Sequence, residues 1–446
     1  MTNNTLINKF KQSVGLKVIT ILVMIVLLII PNALIQEVIN ERSARKTTVE
    51  NEVASSYGQE QIIYPAFVKI PYVRTQYNTD NKPYTKEGYI GISANNSVFD
   101  ASVTTSTRQR SIFEVVVYDA KVANKSTFDW QSFKPEEWKE YQFDFEKAYL
   151  VYGIKDANGI TDSVVVTANG TPLTIEGNTN INVGGFYWLK TENFVVDVEQ
   201  PLTINSNWLI KGTKGLYFEP MGDLVEVNMQ SPWPDPSFTG KNLPTKHDVT
   251  NNGFTAKWKL NKFSHKHPQI WQNDKTAITA NAFFGVNLIQ PINEYGKNFR
   301  TSKYALLIIA LTFGIFFFFE VLLKKSIHPI QYTLVGFALT VFYLLLLSIS
   351  EHLGFNLAYL TSSIATILLI VVYTHFILKR IGASTLLLGL LSALFAYVFI
   401  ILQMQDFALL AGAIALFVVL ATVMLLSRNI DWYNLGKNEK INGETA

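Results

Sequence analysis

The chain has 446 residues, enough for two or three ordinary domains and a sizeable core. Charged residues make up only 16%, against roughly 25% in soluble domains, and a net charge of +3 without any dense basic block makes no case for a nucleic-acid partner. Cysteine is absent, which excludes disulfides, thiolate metal sites and a cysteine nucleophile.

Lys9, Lys11 and Lys17 precede the uncharged run Val18 to Ile35, VITILVMIVLLIIPNALI. A bilayer-spanning helix takes about 20 mostly apolar residues, so the run is just long enough. The segment Pro31-Asn32-Ala33-Leu34-Ile35 makes a poor cleavage site. The expectation is an uncleaved signal anchor over residues 18–36, behind a cytoplasmic N-terminus of residues 1–17.

Residues 37–301 have the composition of a soluble domain. Glu37 to Ser55 holds helix formers and a Glu41/Arg45 pair at i,i+4, which predicts a helical stalk. Beyond Pro65 the pattern is that of strands. SIFEVVVY, Ser111 to Tyr118, sets Ile112, Glu114, Val116 and Tyr118 on one face and Phe113, Val115 and Val117 on the other. Asn158-Gly159, Asn169-Gly170 and Asn252-Gly253 fall between β-rich runs as hairpin signals. The expectation is an antiparallel, sandwich-like domain of one or two lobes.

Chemistry is sparse in that domain. Asp144 and Glu146 alternate with Phe143 and Phe145, so both carboxylates are expected on one strand face. A glycosidase pair needs opposed carboxylates about 5–9 Å apart, so a solvated face is the simpler reading. His265 and His267 have strand-metal spacing, but Lys266 lies between them and no third ligand is evident, which favours a basic loop. There is no G-x-S-x-G, no Walker-type loop and no H-E-x-x-H. No metal or other cofactor is expected.

Residues 302–427 carry five further apolar segments: Tyr304 to Leu323, Tyr332 to Ile349, Leu357 to Leu378, Ala383 to Leu402 and Phe407 to Leu426. Lys324, Lys325, Lys379, Arg380 and Arg428 follow alternate segments, while the other turns carry Glu351-His352 and Asp406 without Lys or Arg. The positive-inside rule then places both termini, with the tail 428–446, in the cytoplasm and the long middle domain outside. The fold class is an α-helical membrane protein with six transmembrane helices, one N-terminal and five C-terminal, and a large β-rich outer domain.

Two polar groupings stand out in this region. Ser350-Glu351-His352 ends the third span. It reads either as a polar helix end at the interface or as a proton-sensitive or ion-binding cluster with Asp406 on the same side. Neighbouring helical residues do not face each other, so Glu351 and His352 do not chelate one ion together, whereas Ser348 and His352 share a face. At the other end, Glu320 stands four residues before Lys324, with His328, Gln331 and Tyr332 opening the next segment. This predicts a polar clasp between spans two and three.

SPWPDPSFTGKNLP (Ser231 to Pro244), GFTAKWKL (Gly253 to Leu260) and HPQIW (His267 to Trp271) resemble the CreD family of bacterial inner-membrane proteins. The likeness continues through HPIQYTLVGFALTVFYLLLLSISEHLGFNLAY (His328 to Tyr359) and reaches back to YGQEQIIYPAFVKIPY (Tyr57 to Tyr72). The chain departs from the family pattern in having Asp235 where histidine is common and Tyr64 where glycine is common. The resemblance implies the bacterial inner membrane, a periplasmic middle domain, a part in cell-envelope integrity or stress response, and a regulatory link to a two-component system. It carries no catalytic residues across. The expected partners are the lipid bilayer and envelope components or other membrane proteins. The alternative is a transporter or exporter whose five C-terminal spans use Glu320, Glu351, His352 and Asp406.

Overall fold

The computed structural model describes residues 14–183, 185–272, 282–288, 294–323, 325–404 and 408–428. The chain divides into two compact units, Met1–Arg45 with Ile292–Ala446, and Lys46–Pro291.

The first unit is helical. α1 (Val14–Leu27) is followed by α2 (Ile29–Tyr57), whose last residues belong to the second unit. The interruption at Leu28 has a local cause. Pro31 has no N–H for the Leu27 carbonyl and its ring crowds that oxygen. The helix expected over Glu37 to Ser55 lies within α2, which extends to Tyr57. After the β unit come α3 (Glu294–Lys303), α4 (Ala305–Leu323), α5 (Pro329–Leu353), α6 (Phe355–Leu378), α7 (Ile381–Gln403) and α8 (Ala408–Ser427).

Among the described residues five helices are long and apolar enough to cross a membrane: the N-terminal one and α4 to α7. α8 is a further apolar helix, so the expected six segments are all helical and five of them meet the length and composition of a span. Their cores interlock through aromatic pairs such as Phe342 with Tyr359 and Phe395, at ring-centroid separations of 5.5 and 4.9 Å. Leu334, Phe337, Val341, Leu344, Leu357, Leu360 and Leu368 remain exposed. Such an apolar surface suits lipid rather than water.

The second unit is built of two β-sheets that share one hydrophobic core. In the eight-stranded sheet the order is 246–250, 253–261, 224–231, 96–110, 113–128, 202–213, 165–168 and 171–173. The eleven-stranded sheet centres on Gln61–Ile63, Tyr149–Ile154, Phe67–Tyr77 and Pro83–Ser93. Phe99 meets Phe218 across the core at 4.9 Å, and Tyr152 meets Trp208 at 5.2 Å. Both sheets are mixed, which corrects the antiparallel expectation. Gln61–Ile63 runs parallel to Gly215–Phe218, and Leu224–Ser231 parallel to Asn96–Arg110. The far side of the eleven-stranded sheet buries a smaller cluster with Tyr64, Phe67, Trp188, Tyr217, Met221 and Trp271.

The hairpin signals fare unequally. Asn169-Gly170 turns Val165–Ala168 into Thr171–Leu173, with φ of 47° and 87° that asparagine and glycine tolerate. Thr250 and Gly253 close a second hairpin. Asn158-Gly159 instead lies in a 3-10 turn capped by the Asp156 side chain, and the strands flanking it belong to different sheets. A further tight turn, Ser111-Ile112, joins Asn96–Arg110 to Phe113–Phe128, so the strand starts two residues later than SIFEVVVY implied. Asp144 and Glu146 are not on one strand face either. The strand ends at Phe143, and Asp144 pairs with Lys147 at 2.8 Å around a 3-10 turn.

Candidate functional site

At the C-terminal end of α5 the chain stops on Gly354, whose φ of 75° suits glycine and whose N–H donates to the Ser350 carbonyl. Ser350 points inward. Its hydroxyl accepts from Asn298 Nδ2 at 2.7 Å and donates to the Leu347 carbonyl at 2.8 Å. Glu351 is half-buried; its Oε1 accepts from the Tyr295 hydroxyl at 2.9 Å and faces Arg42 Nε at 3.9 Å. Burial, and then the Glu351 carboxylate, raise the Tyr295 hydroxyl above its ordinary pKa. His352 is exposed, as is Ser348 one turn earlier. Asp406 lies outside the described residues.

Tyr295 and Asn298 belong to α3, which hydropathy does not reveal. Its buried side is Tyr295, Asn298, Thr301 and Ser302, a polar stripe at helical spacing. The Ser302 carbonyl also accepts from Asn32 Nδ2 of α2 at 3.3 Å. Helices α2 and α3, the two connections to the β unit, therefore meet the same end of the helical unit through polar contacts.

The other cluster forms at the opposite end of α5. Glu320 of α4 is buried and accepts from Lys17 Nζ of α1 at 2.5 Å, from the Ile327 N–H at 3.2 Å and from the Tyr332 hydroxyl at 3.3 Å. Lys324, the expected partner, lies outside the described residues. His328 and Gln331 form the N-terminal capping box of α5. His328 Nδ1 accepts from the Ile330 N–H at 3.3 Å, and Gln331 Oε1 from the His328 N–H at 3.0 Å. Lys325 donates to the Leu378 carbonyl at the end of α6. Tyr332 and Glu351 are nineteen residues apart on α5, hence about 28 Å at 1.5 Å per residue, close to the hydrocarbon thickness of a bilayer.

A third grouping, in the β unit, was not legible as a pair. Glu219 follows the strand Gly215–Phe218, and its N–H extends the parallel pairing by donating to the Ile63 carbonyl at 2.9 Å. Its Oε1 lies 2.7 Å from His267 Nε2 and accepts from the Ala282 N–H at 2.7 Å. Glu219 Oε2 is buried and has no hydrogen-bond partner among the described residues. The Tyr64 ring meets the His267 ring edge-on at 6.3 Å. Burial, followed by the charge of Glu219, pushes the Tyr64 hydroxyl pKa up. Neighbouring His265 has both ring nitrogens engaged, Nε2 with the Gly222 carbonyl at 2.8 Å and Nδ1 with the His267 N–H at 3.2 Å. It is thus unable to complete a two-histidine metal site. Among the described residues no group of three or more His, Asp or Glu is placed to hold a metal ion. The pair has the elements of acid–base chemistry but is sealed by aromatic side chains, and its geometry is that of an internal strut.

These features define a multi-helix membrane protein in which a two-sheet β unit follows the first apolar helix and precedes the rest. The family model described as "Inner membrane protein CreD" matches residues 13–433. The chain is also 32% identical over 422 residues to Inner membrane protein CreD of Escherichia coli (strain K12), covering 92% of this chain and 91% of that protein. The chain belongs to the CreD family of inner membrane proteins.

Proposed function

We propose that the protein is a non-enzymatic inner-membrane protein that helps preserve or monitor the cell envelope, with its β unit in the periplasm and both termini in the cytoplasm. The observation that carries this reading is the division of polar contacts between the two ends of α5. Lys17, Lys325 and Glu320 gather near its start, whereas α2 and α3, which lead to the β unit, are bound at its finish. Lys325 follows α4, and Lys379 and Arg380 follow α6, whereas the turn between α5 and α6 has no Lys or Arg; this alternation supports the orientation. Among the described residues Glu320 and Glu351 hold helices together and His352 is exposed, which favours a scaffold over a transport path. The partners proposed are the bilayer, envelope components and other membrane proteins, with a regulatory connection to a two-component system.

A deletion strain under envelope stress, complemented with Glu320→Gln, Glu351→Gln, His352→Ala or Asp406→Asn, tests this. Every variant that reaches wild-type membrane abundance is expected to rescue. A variant that accumulates normally yet behaves as the deletion overturns the scaffold reading in favour of a transporter.

A further inference from the structure

The exposed face of the eight-stranded sheet is hollowed into a trough of about 910 Å³. Strand register shows how its floor is laid out. Thr255, Gln230, Ser102 and Lys121 stand side by side on four neighbouring strands. In the next row Lys257, Asn228, Asp100, Ala123 and Asn207 do the same across five. One rim carries Lys246 and Asp248, the other Asp162 and Ser163. Nearly all of these side chains are exposed, Asn228 being half-buried, and the amide of Asn228 donates to Asp100 at 2.8 Å.

We infer that this trough binds a linear β-linked glycan strand lying across the strands of the sheet. Three properties select that ligand. Apart from Lys121, Lys257 and Ala123, these rows present amide, hydroxyl and carboxylate groups, which between them donate and accept hydrogen bonds, as sugar hydroxyls require. Acidic and basic residues alternate around it, Asp100, Asp162 and Asp248 against Lys121, Lys246 and Lys257, so a strongly charged polymer of either sign meets repulsion. The rows also have the right period. Strands lie about 4.8 Å apart, close to the length of one pyranose ring along a β-linked chain. An extended peptide repeats its same-face side chains every two residues, about 6.8 Å, and falls out of step.

The inference supplies the proposed envelope role with a ligand and rests on it only for where that ligand is met; binding in vitro does not depend on it. The test is saturation-transfer NMR on the full chain in nanodiscs, with chitopentaose as the probe and penta-alanine as the comparison. Chitopentaose is expected to show saturable transfer. The variant Asn207→Ala/Asn228→Ala/Gln230→Ala is expected to weaken it at least about tenfold, the scale of one or two lost hydrogen bonds, without changing the thermal midpoint. No transfer at the solubility limit of the sugar, equal affinity in the triple variant, or displacement of the sugar by penta-alanine each overturns the inference. If the complementation test fails while chitopentaose binds, the scaffold reading falls and the glycan site stands.

Discussion

His267 Nε2 lies 2.7 Å from Glu219 Oε1, and the two side chains are 0% and 1% exposed. The pair joins a loop to the end of a central strand where no water reaches, so removing one partner strands the other. His267→Ala is expected to cost about 1–3 kcal/mol by leaving the buried Glu219 Oε1 with one hydrogen bond fewer. Glu219→Gln, which still accepts from Ala282, should cost about 1–3 kcal/mol. Thermal unfolding checks both, at about 2–4 °C per kcal/mol for a unit of this size, and the double variant should lose less than the sum.

Burial holds His265 below the ordinary histidine range, with the nearby His267 adding to the effect and Asp223 opposing it. As pH falls the unfolded chain takes up that proton first. The stability tied to His265 is therefore complete above about pH 6.5 and lost as pH drops through the lower folded value. The thermal midpoint should fall between neutral pH and pH 5, and less steeply in His265→Gln, which retains a donor for Gly222.

Lys17 and Glu320 should behave as a unit. Lys17→Met leaves Glu320 with only neutral donors, and Glu320→Gln leaves the ammonium without its counter-charge. Each single change is expected to cost about 1.5–3 kcal/mol and the double change less than either, since an uncharged pair carries no desolvation penalty. Heat inactivation in detergent, read as loss of the monodisperse species, ranks the three variants.

At the other end of α5, Asn298→Ala and His352→Ala should separate cleanly. Asn298 is 1% exposed and donates to Ser350, so its loss should cost about 1–3 kcal/mol. The exposed His352 should cost no more than about 0.5 kcal/mol. The same melting assay distinguishes them.

Two glycines in Asn-Gly pairs give a backbone test. A Cβ on Gly159 would collide with Gln61 Nε2 and the Lys211 carbonyl, whereas one on Gly170 would meet nothing within 4 Å. Gly159→Ala is expected to cost about 1–3 kcal/mol by overpacking. Gly170→Ala should cost about 1 kcal/mol, from its positive φ alone. Chemical denaturation would reverse this order if Gly159 were a hairpin turn.

That contrast also shows what sequence reading reaches. The apolar segments were legible because a long run without charge has few other uses, and the Asn169-Gly170 turn because its flanking strands are neighbours. The pair Asn158-Gly159 misled because the same dipeptide serves a crossover between sheets. α3 was hidden because Asn298, Thr301 and Ser302 face inward, inverting the usual pattern of apolar residues inside. His267 was visible as a residue but not as half of a pair. Its partner is 48 positions away, just past the strand Gly215–Phe218, and no local signal encodes that proximity.

The polar contacts of α2 and α3 carry a mechanical implication. The β unit is held by two chain connections, and each is fastened to the last turn of α5, through Arg42 to Glu351 and through Asn298 to Ser350. A pull on either connection therefore loads the same turn of α5. Because short-range polar bonds give way abruptly, load reaching Glu351 and Ser350 would be transmitted down α5 until those bonds part, and then not at all.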